Sequence, residues 1–308
     1  MVSKNFFKFN GKGKFLKYLF YLLNLVLFGI LVFYAVKYYP TMAYSFGNAH
    51  IIYLIISLII LIIINFICAF KWFILMKAFN KDVGFKYLLL IFMGSSLYKY
   101  IPPKGINYIM RYRFCQKYNQ SLKGKISTMF CESISEIYVS TLCFLILTLI
   151  LSNFTPWVFI LTIIVFLLMT IFMIFPKLFL IIKIRQVEKL ILQFMQIQNT
   201  KVFLNSFLLT FLVAILHGIA FYCILISFNV HLNFWIILLL FYSSQFIVFL
   251  SFTPAGIGVR ELSLVGILTL LNVDIGLSIT LAILNRILIL IGEMLPGLPS
   301  LFILHKKK

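Results

Sequence analysis

Residues 251–261 read SFTPAGIGVRE, and the apolar runs on either side of them decide the fold. The runs 234–250 and 262–271 each fall short of the ~20 residues that a helix needs to cross a bilayer core. A chain interrupted between two such runs breaks at membrane depth. Pro254 removes a backbone donor and turns Thr253 away from helical geometry, while Gly256 and Gly258 permit positive φ and close backbone approach. The amides freed by such a break find no partner in hydrocarbon, so the segment must lie against protein or a watery cavity. Arg260 and Glu261 follow at once. Irregular backbone beside an ionisable pair, between hydrophobic segments, is an arrangement that membrane transport sites use.

Composition supports this reading from end to end. The sequence is 63% hydrophobic with mean hydropathy +1.10, values that fit a polytopic membrane protein and leave no soluble domain. The net charge of +20 collects in Lys4, Lys8, Lys12, Lys14 and Lys17 and again in Lys306, Lys307 and Lys308. Basic residues accumulate on the cytoplasmic side, so both termini are expected there, in the cytoplasmic (inner) membrane. Attraction to anionic membrane lipids accounts for much of that charge. No segment offers the folded basic face that nucleic acid requires. Cys68, Cys115, Cys131, Cys143 and Cys223 lie apart without metal-ligand spacing, so no metal, cofactor or disulfide is expected.

The apolar runs give a topology. Run 15–36 is expected to cross outward and run 51–70 to return, ending at Lys71. Run 87–97 is too short to cross and has basic flanks on both sides. It is expected to re-enter from the cytoplasm and turn at 101–105, IPPKG. Runs 126–151, 157–175 and 202–228 cross in turn, and 277–304 leads to the basic tail. Segment 182–200 carries Ile184, Val187, Leu190, Ile191 and Phe194 at helical spacing and reads as an interfacial amphipathic helix. The expectation is one all-α membrane domain over 1–308, with six to eight transmembrane helices and broken or re-entrant elements at 87–105 and 234–271. Whether 234–271 makes two short crossings or a second hairpin is open from sequence. Pro103-x-Gly105-Ile106 echoes Pro254-x-Gly256-Ile257. That echo has two readings, an inverted repeat meeting at the midplane or chance recurrence of Pro-Gly turns.

Only seven acids occur among the 308 residues. Asp82, Glu188 and Asp274 fall in loops or interfaces. Glu132, Glu136, Glu261 and Glu293 fall in or beside apolar runs, where an ionised carboxylate needs a partner or water. Glu132 and Glu136 share one helical face, so either one is protonated or a cation intervenes. One reading has Arg111, Arg113, Arg260 and Arg286 converging on an anionic group, with the four glutamates taking protons or ions. The other has the arginines neutralising the glutamates and pinning helices together. His217, Ser243, Ser244 and Gln245 are candidates to line a cavity or to bond between helices.

These motifs resemble those of the flippase-like integral membrane family related to the transmembrane domain of lysylphosphatidylglycerol synthase. That family's late motif is similar to P-G-G-x-G-x-R-E, which stands here as Pro254 to Glu261 with Ala255 at one glycine. Its earlier P-x-x-x-G motif, followed by an acid and then Arg, maps onto Pro102, Gly105 and Arg111. Its central Glu-Arg pair maps onto Glu132 and its late helical Arg onto Arg286. Asn107 and Ser133 stand where an acid and an Arg are common. The resemblance implies movement of a phosphate-bearing lipid, a polyprenyl-phosphate-linked sugar or a phospholipid, between leaflets. The soluble aminoacyl-transferase domain of the synthases is absent from these 308 residues. The substrate-binding set is then Arg111, Arg113, Arg260, Arg286, Pro254, Gly256 and Gly258. The alternative is a non-catalytic accessory subunit that holds a cytoplasmic lipid or glycan enzyme at the membrane. An enzymatic role is not expected, because loops 37–50, 152–156 and 229–233 contain no acid to activate an acceptor or bind metal.

Overall fold

The computed structural model describes residues 49–306, apart from 81, 102–103, 119–121, 152–155, 182–187, 189–190, 193, 196–200 and 252, together with isolated positions between 29 and 47. The described residues form nine α-helices and no strand: α1 (Ile51–Lys77), α2 (Phe85–Ser96), α3 (Ile106–Tyr118), α4 (Lys125–Ile150), α5 (Pro156–Ile174), α6 (Lys201–Ser227), α7 (Phe234–Leu250), α8 (Val259–Leu270) and α9 (Ile275–Lys306). Helices α1, α4, α5, α6 and α9 are long and apolar enough to cross a membrane. The expected span at 15–36 lies largely outside the described residues, and so does most of the expected interfacial helix at 182–200. Of that helix, Ile191 and Phe194 are buried, and Phe194 packs among Phe130, Phe172 and Phe203.

Both interrupted segments are hairpins, and they enter the bundle from opposite ends. Helix α2 starts beside the end of α1, where Phe85 meets Phe73 at 5.1 Å between ring centroids. Helix α3 returns to that same end, where Tyr118 stacks on Tyr87 at 4.2 Å. Helix α7 starts after the turn that closes α6, and α8 packs back along α7 before leading into α9. Two short crossings in line would have left α7 and α8 end to end, without packing on each other. The alternative left open by the sequence thus resolves to a hairpin.

The hairpin tips meet inside the bundle. After α2 a 3-10 turn, Leu97–Tyr100, touches the second tip at Pro254–Gly256. Lys104 donates from the first tip to the carbonyls of Val248 at 2.9 Å and Ser251 at 2.6 Å. Those carbonyls lie at the C-terminal end of α7, so the ammonium caps a helix C-terminus and its partial negative charge.

The two halves correspond. Exchanging α1 with α6, α2 with α7, α3 with α8 and α4 with α9 carries the α2–α9 packing onto that of α7 with α4, and leaves α1 beside α6. Helices α1 and α6 are antiparallel, since His50 N at the head of α1 donates to Ser227 O at the foot of α6, 2.8 Å away. Two like units packed head to foot form an inverted repeat, and Gly105 and Gly256 of the sequence echo lie in the turns of the two hairpins. Helix α5 joins the halves and packs chiefly on α4.

Two features depart from the sequence expectation. Helix α1 does not end near Phe70; it runs on to Lys77 and buries Lys71 completely. Helix α9 continues through Pro296 and Pro299. A proline leaves the carbonyl four residues earlier without its amide, and Asn65 Nδ2 of α1 supplies a donor to that carbonyl, Gly292 O, at 3.4 Å. Gly297 accommodates Leu97 and Gly94 accommodates Leu301, so α2 and α9 approach closely despite the prolines.

Candidate functional site

The second tip owes its shape to its sequence. Ala255, Gly256 and Gly258 have φ of 50°, 71° and 81°, a left-handed run that only glycine takes without strain. At Gly256 a Cβ would also lie 2.7 Å from the Val248 side chain. The backbone then re-enters α8, and Glu261 turns back to cap it, accepting from Gly258 N at 2.7 Å. The other carboxylate oxygen of Glu261 faces Arg286 Nε of α9 at 3.5 Å, and Arg286 Nη1 donates to Ala255 O at 3.2 Å. Pro254, Gly256, Gly258, Glu261 and Arg286 therefore build the tip and lie behind the cavity wall. Arg260, one residue before Glu261, points the other way.

Between the tips lies a cavity of about 240 Å³, lined from every core helix. Its charged walls are Arg111 of α3, Lys99 of the first tip, Arg260 of α8, Glu132 and Glu136 of α4, and Glu293 of α9. Asn65, Asn107, His217 and Gln245 add neutral polar groups. A single water needs roughly 10–15 Å³ on this kind of measure, so the space admits a phosphate-sized group with water.

Each carboxylate has a cation. Arg111 Nη1 meets Glu132 Oε2 at 2.7 Å, and its Nε donates to Ser95 Oγ at 3.2 Å. Its guanidinium also lies over the Phe92 ring, 4.2 Å from the centroid. Lys71 Nζ meets Glu136 Oε1 at 2.9 Å. Lys99 pairs with Glu293, whose second oxygen accepts from Tyr100 OH at 3.0 Å. The cation that the Glu132/Glu136 pair required is in fact two, one for each carboxylate. Arg286 and Glu293 share a helix but bind different partners.

Arg260 differs from the other four cations. Its Nη2 donates to Gln245 Oε1 at 2.7 Å, and its Nε is buried without a hydrogen-bond partner. No carboxylate among the described residues pairs with it. Five cations, Lys71, Lys99, Arg111, Arg260 and Arg286, thus face four carboxylates, and Arg260 is the surplus.

Not every candidate from the sequence is brought here. Arg113 is exposed on the far face of α3 and takes no part in the convergence expected of it. Ser243 and Ser244 bond back to Leu239 O and Phe241 O of their own helix, as hydroxyls in apolar helices do. His217 and Gln245 do line the cavity. The residues that sequence reasoning missed are Lys71, Lys99 and Lys104, taken there for flanking charges. Among the described residues no cluster of His, Cys, Asp and Glu suits a metal ion.

An inverted repeat of helices with two opposed hairpins and a charged chamber between their tips defines a multi-pass membrane protein with an internal polar site. The chain belongs to the family described as the lysylphosphatidylglycerol synthase TM region, whose family model matches residues 17–297. No curated protein matches it with significance.

Proposed function

We infer that the protein moves a phosphate-bearing anionic lipid between leaflets, its headgroup passing through the chamber between the hairpin tips while its tails stay in hydrocarbon. The observation that carries this reading is Arg260, a guanidinium facing a polar cavity without a carboxylate partner. Guanidinium keeps its charge when buried and offers a planar fork that suits two phosphate oxygens. A half-buried cation with a buried, unpartnered Nε and no counter-charge is left uncompensated, so the site is poised for an anion from outside the protein. The inverted repeat supports the same reading, since two like halves that meet at a central site supply an inward and an outward arrangement of similar energy. In this reading the end that carries Lys77, Lys86, Arg113, Lys117 and Lys306 faces the cytoplasm. The proposed reaction makes and breaks no covalent bond.

Purified protein in proteoliposomes, given a headgroup-labelled polyprenyl-phosphate sugar or phospholipid, is expected to transfer label between leaflets. Arg260→Gln keeps a side chain of similar reach but removes the charge, and transfer should fall at least tenfold with the protein still folded. Full transfer by that variant would remove Arg260 from the mechanism. Absence of transfer by the wild type would favour an accessory subunit, tested next by co-purification with a cytoplasmic lipid or glycan enzyme.

A further inference from the structure

The charges around the chamber bear on what kind of anion it takes. Lys71, Lys99, Arg111 and Arg286 are each held by one carboxylate, Glu136, Glu293, Glu132 and Glu261. These four pairs sum to neutrality, and Arg260 leaves one positive charge. Lys104 does not alter the count at the cavity wall, because it is exposed and turned onto the carbonyls that end α7. Charges inside a protein-walled chamber are screened less than in bulk water, so the occupant that leaves least uncompensated charge carries a single negative charge.

Hydrogen-bonding capacity agrees. One Nη of Arg260 is engaged by Gln245, and Nε is buried without a partner. What remains is one fork edge, enough for two oxygens of one phosphoryl group. A second phosphoryl would need a second cation. Lys99 is the other cation on that wall without a backbone or aromatic clamp as tight as that of Arg111, and taking it means displacing Glu293, a pair that Tyr100 also supports.

We propose that the chamber selects a headgroup with one negative charge, a phosphodiester, and discriminates against diphosphate-linked lipids. The inference rests on the transport reading above and narrows its substrate class. Phosphodiesters reach a membrane from two sources, a sugar joined to a polyprenyl monophosphate and a glycerophospholipid. The same single charge serves either. The pair Lys99–Glu293 is then the selectivity element, because it withholds the second cation that a diphosphate would need.

The test compares three labelled lipids in proteoliposomes and in detergent binding assays. They are a polyprenyl-monophosphate sugar, the polyprenyl-diphosphate derivative of the same sugar, and phosphatidylglycerol. Wild-type protein should bind and transfer at least one phosphodiester about tenfold or more better than the diphosphate. Response to both phosphodiesters would show that charge alone is read; response to one would identify the source and leave the inference standing. Glu293→Gln frees Lys99 and should shift the ratio toward the diphosphate by about tenfold or more. Adding Lys99→Gln to that variant restores the single surplus charge, and the wild-type preference should return. Equal handling of diphosphate and phosphodiester by the wild type overturns the inference even if neither variant folds. An unchanged ratio in a folded Glu293→Gln protein overturns it too. Binding or transfer of none of the three lipids overturns the transport reading instead, so the two failures are distinguishable.

Discussion

The two hairpins share one architecture and use their arginines in opposite ways. Arg111, on the returning arm of the first, is 3% exposed and engaged by Glu132, Ser95 and the face of Phe92. Arg260, on the returning arm of the second, is half-buried, bonded to one neutral amide and otherwise open to the cavity. The first arginine ties its hairpin to α4. In the second hairpin that task falls to Arg286, reaching across from α9 to Glu261 and Ala255 O. With the fastening done by another residue, Arg260 is left to face the cavity. A scaffold close to symmetric thus carries an asymmetric charge, and the asymmetry lies in what each guanidinium touches.

The contrast is broken most forcefully at Arg111. Arg111→Gln leaves Glu132 buried without its cation, and losing one member of a buried pair costs about 3–5 kcal/mol. The variant should unfold at clearly lower temperature in detergent, whereas Arg260→Gln should lose transport with its unfolding temperature little changed. Adding Glu132→Gln to Arg111→Gln should recover much of the loss, because no buried charge is then stranded. If Arg111→Gln were as stable as wild type, Arg111 would belong with Arg260 among ligand-facing residues.

A smaller effect separates the two turns. Gly105 has φ of 91° with nothing within 4 Å of a prospective Cβ, while Gly256 has φ of 71° with Val248 at 2.7 Å. Gly105→Ala should therefore cost only the left-handed strain, about 1 kcal/mol. Gly256→Ala adds a steric overlap at the packed tip, about 1–3 kcal/mol more. Parallel thermal unfolding of the two variants reads the difference. Equal losses would mean that the second tip is no more tightly packed than the first.

Much of this layout is legible in the sequence because it rests on local chemistry. Short apolar runs bounded by Pro and Gly cannot cross a bilayer, and that is enough to expect an interruption at Pro254–Gly258. The partners of the charges are not legible, because they are set by which helices pack together. Lys71 looks like the basic end of a span, since it follows twenty apolar or neutral residues. Only the approach of α4 shows that it serves Glu136, 65 positions away. Lys99 and Glu293 are 194 positions apart, and no periodicity links them. The same limit made Arg113 look equivalent to Arg111: two residues apart on a helix, they point some 200° apart, and which of them faces inward depends on α4. Hairpin and double crossing were equally compatible with run length, and the choice was made by the packing of α8 back along α7.

The finest difference between the tips is a single methyl group. Ala255 sits at φ 50° and ψ 12°, where the resembled family motif has glycine. A non-glycine residue there carries about 1 kcal/mol of strain. It is held in that conformation because its carbonyl accepts from Arg286 and because the glycine that follows must turn the backbone past Val248. Ala255→Gly relieves the strain but gives the unfolded state more freedom, which offsets about 0.4–1 kcal/mol of it, so the net gain should be at most about 0.6 kcal/mol. A small rise in unfolding temperature is the expected result. Transport rate is the sharper readout. If the strain serves to keep the tip ready to move, Ala255→Gly should slow transfer while raising stability, and Gly105→Ala, which places comparable strain in the other tip, should not reproduce that slowing. Unchanged transfer alongside raised stability would show that the strain is incidental and that Arg286 alone sets the position of the tip.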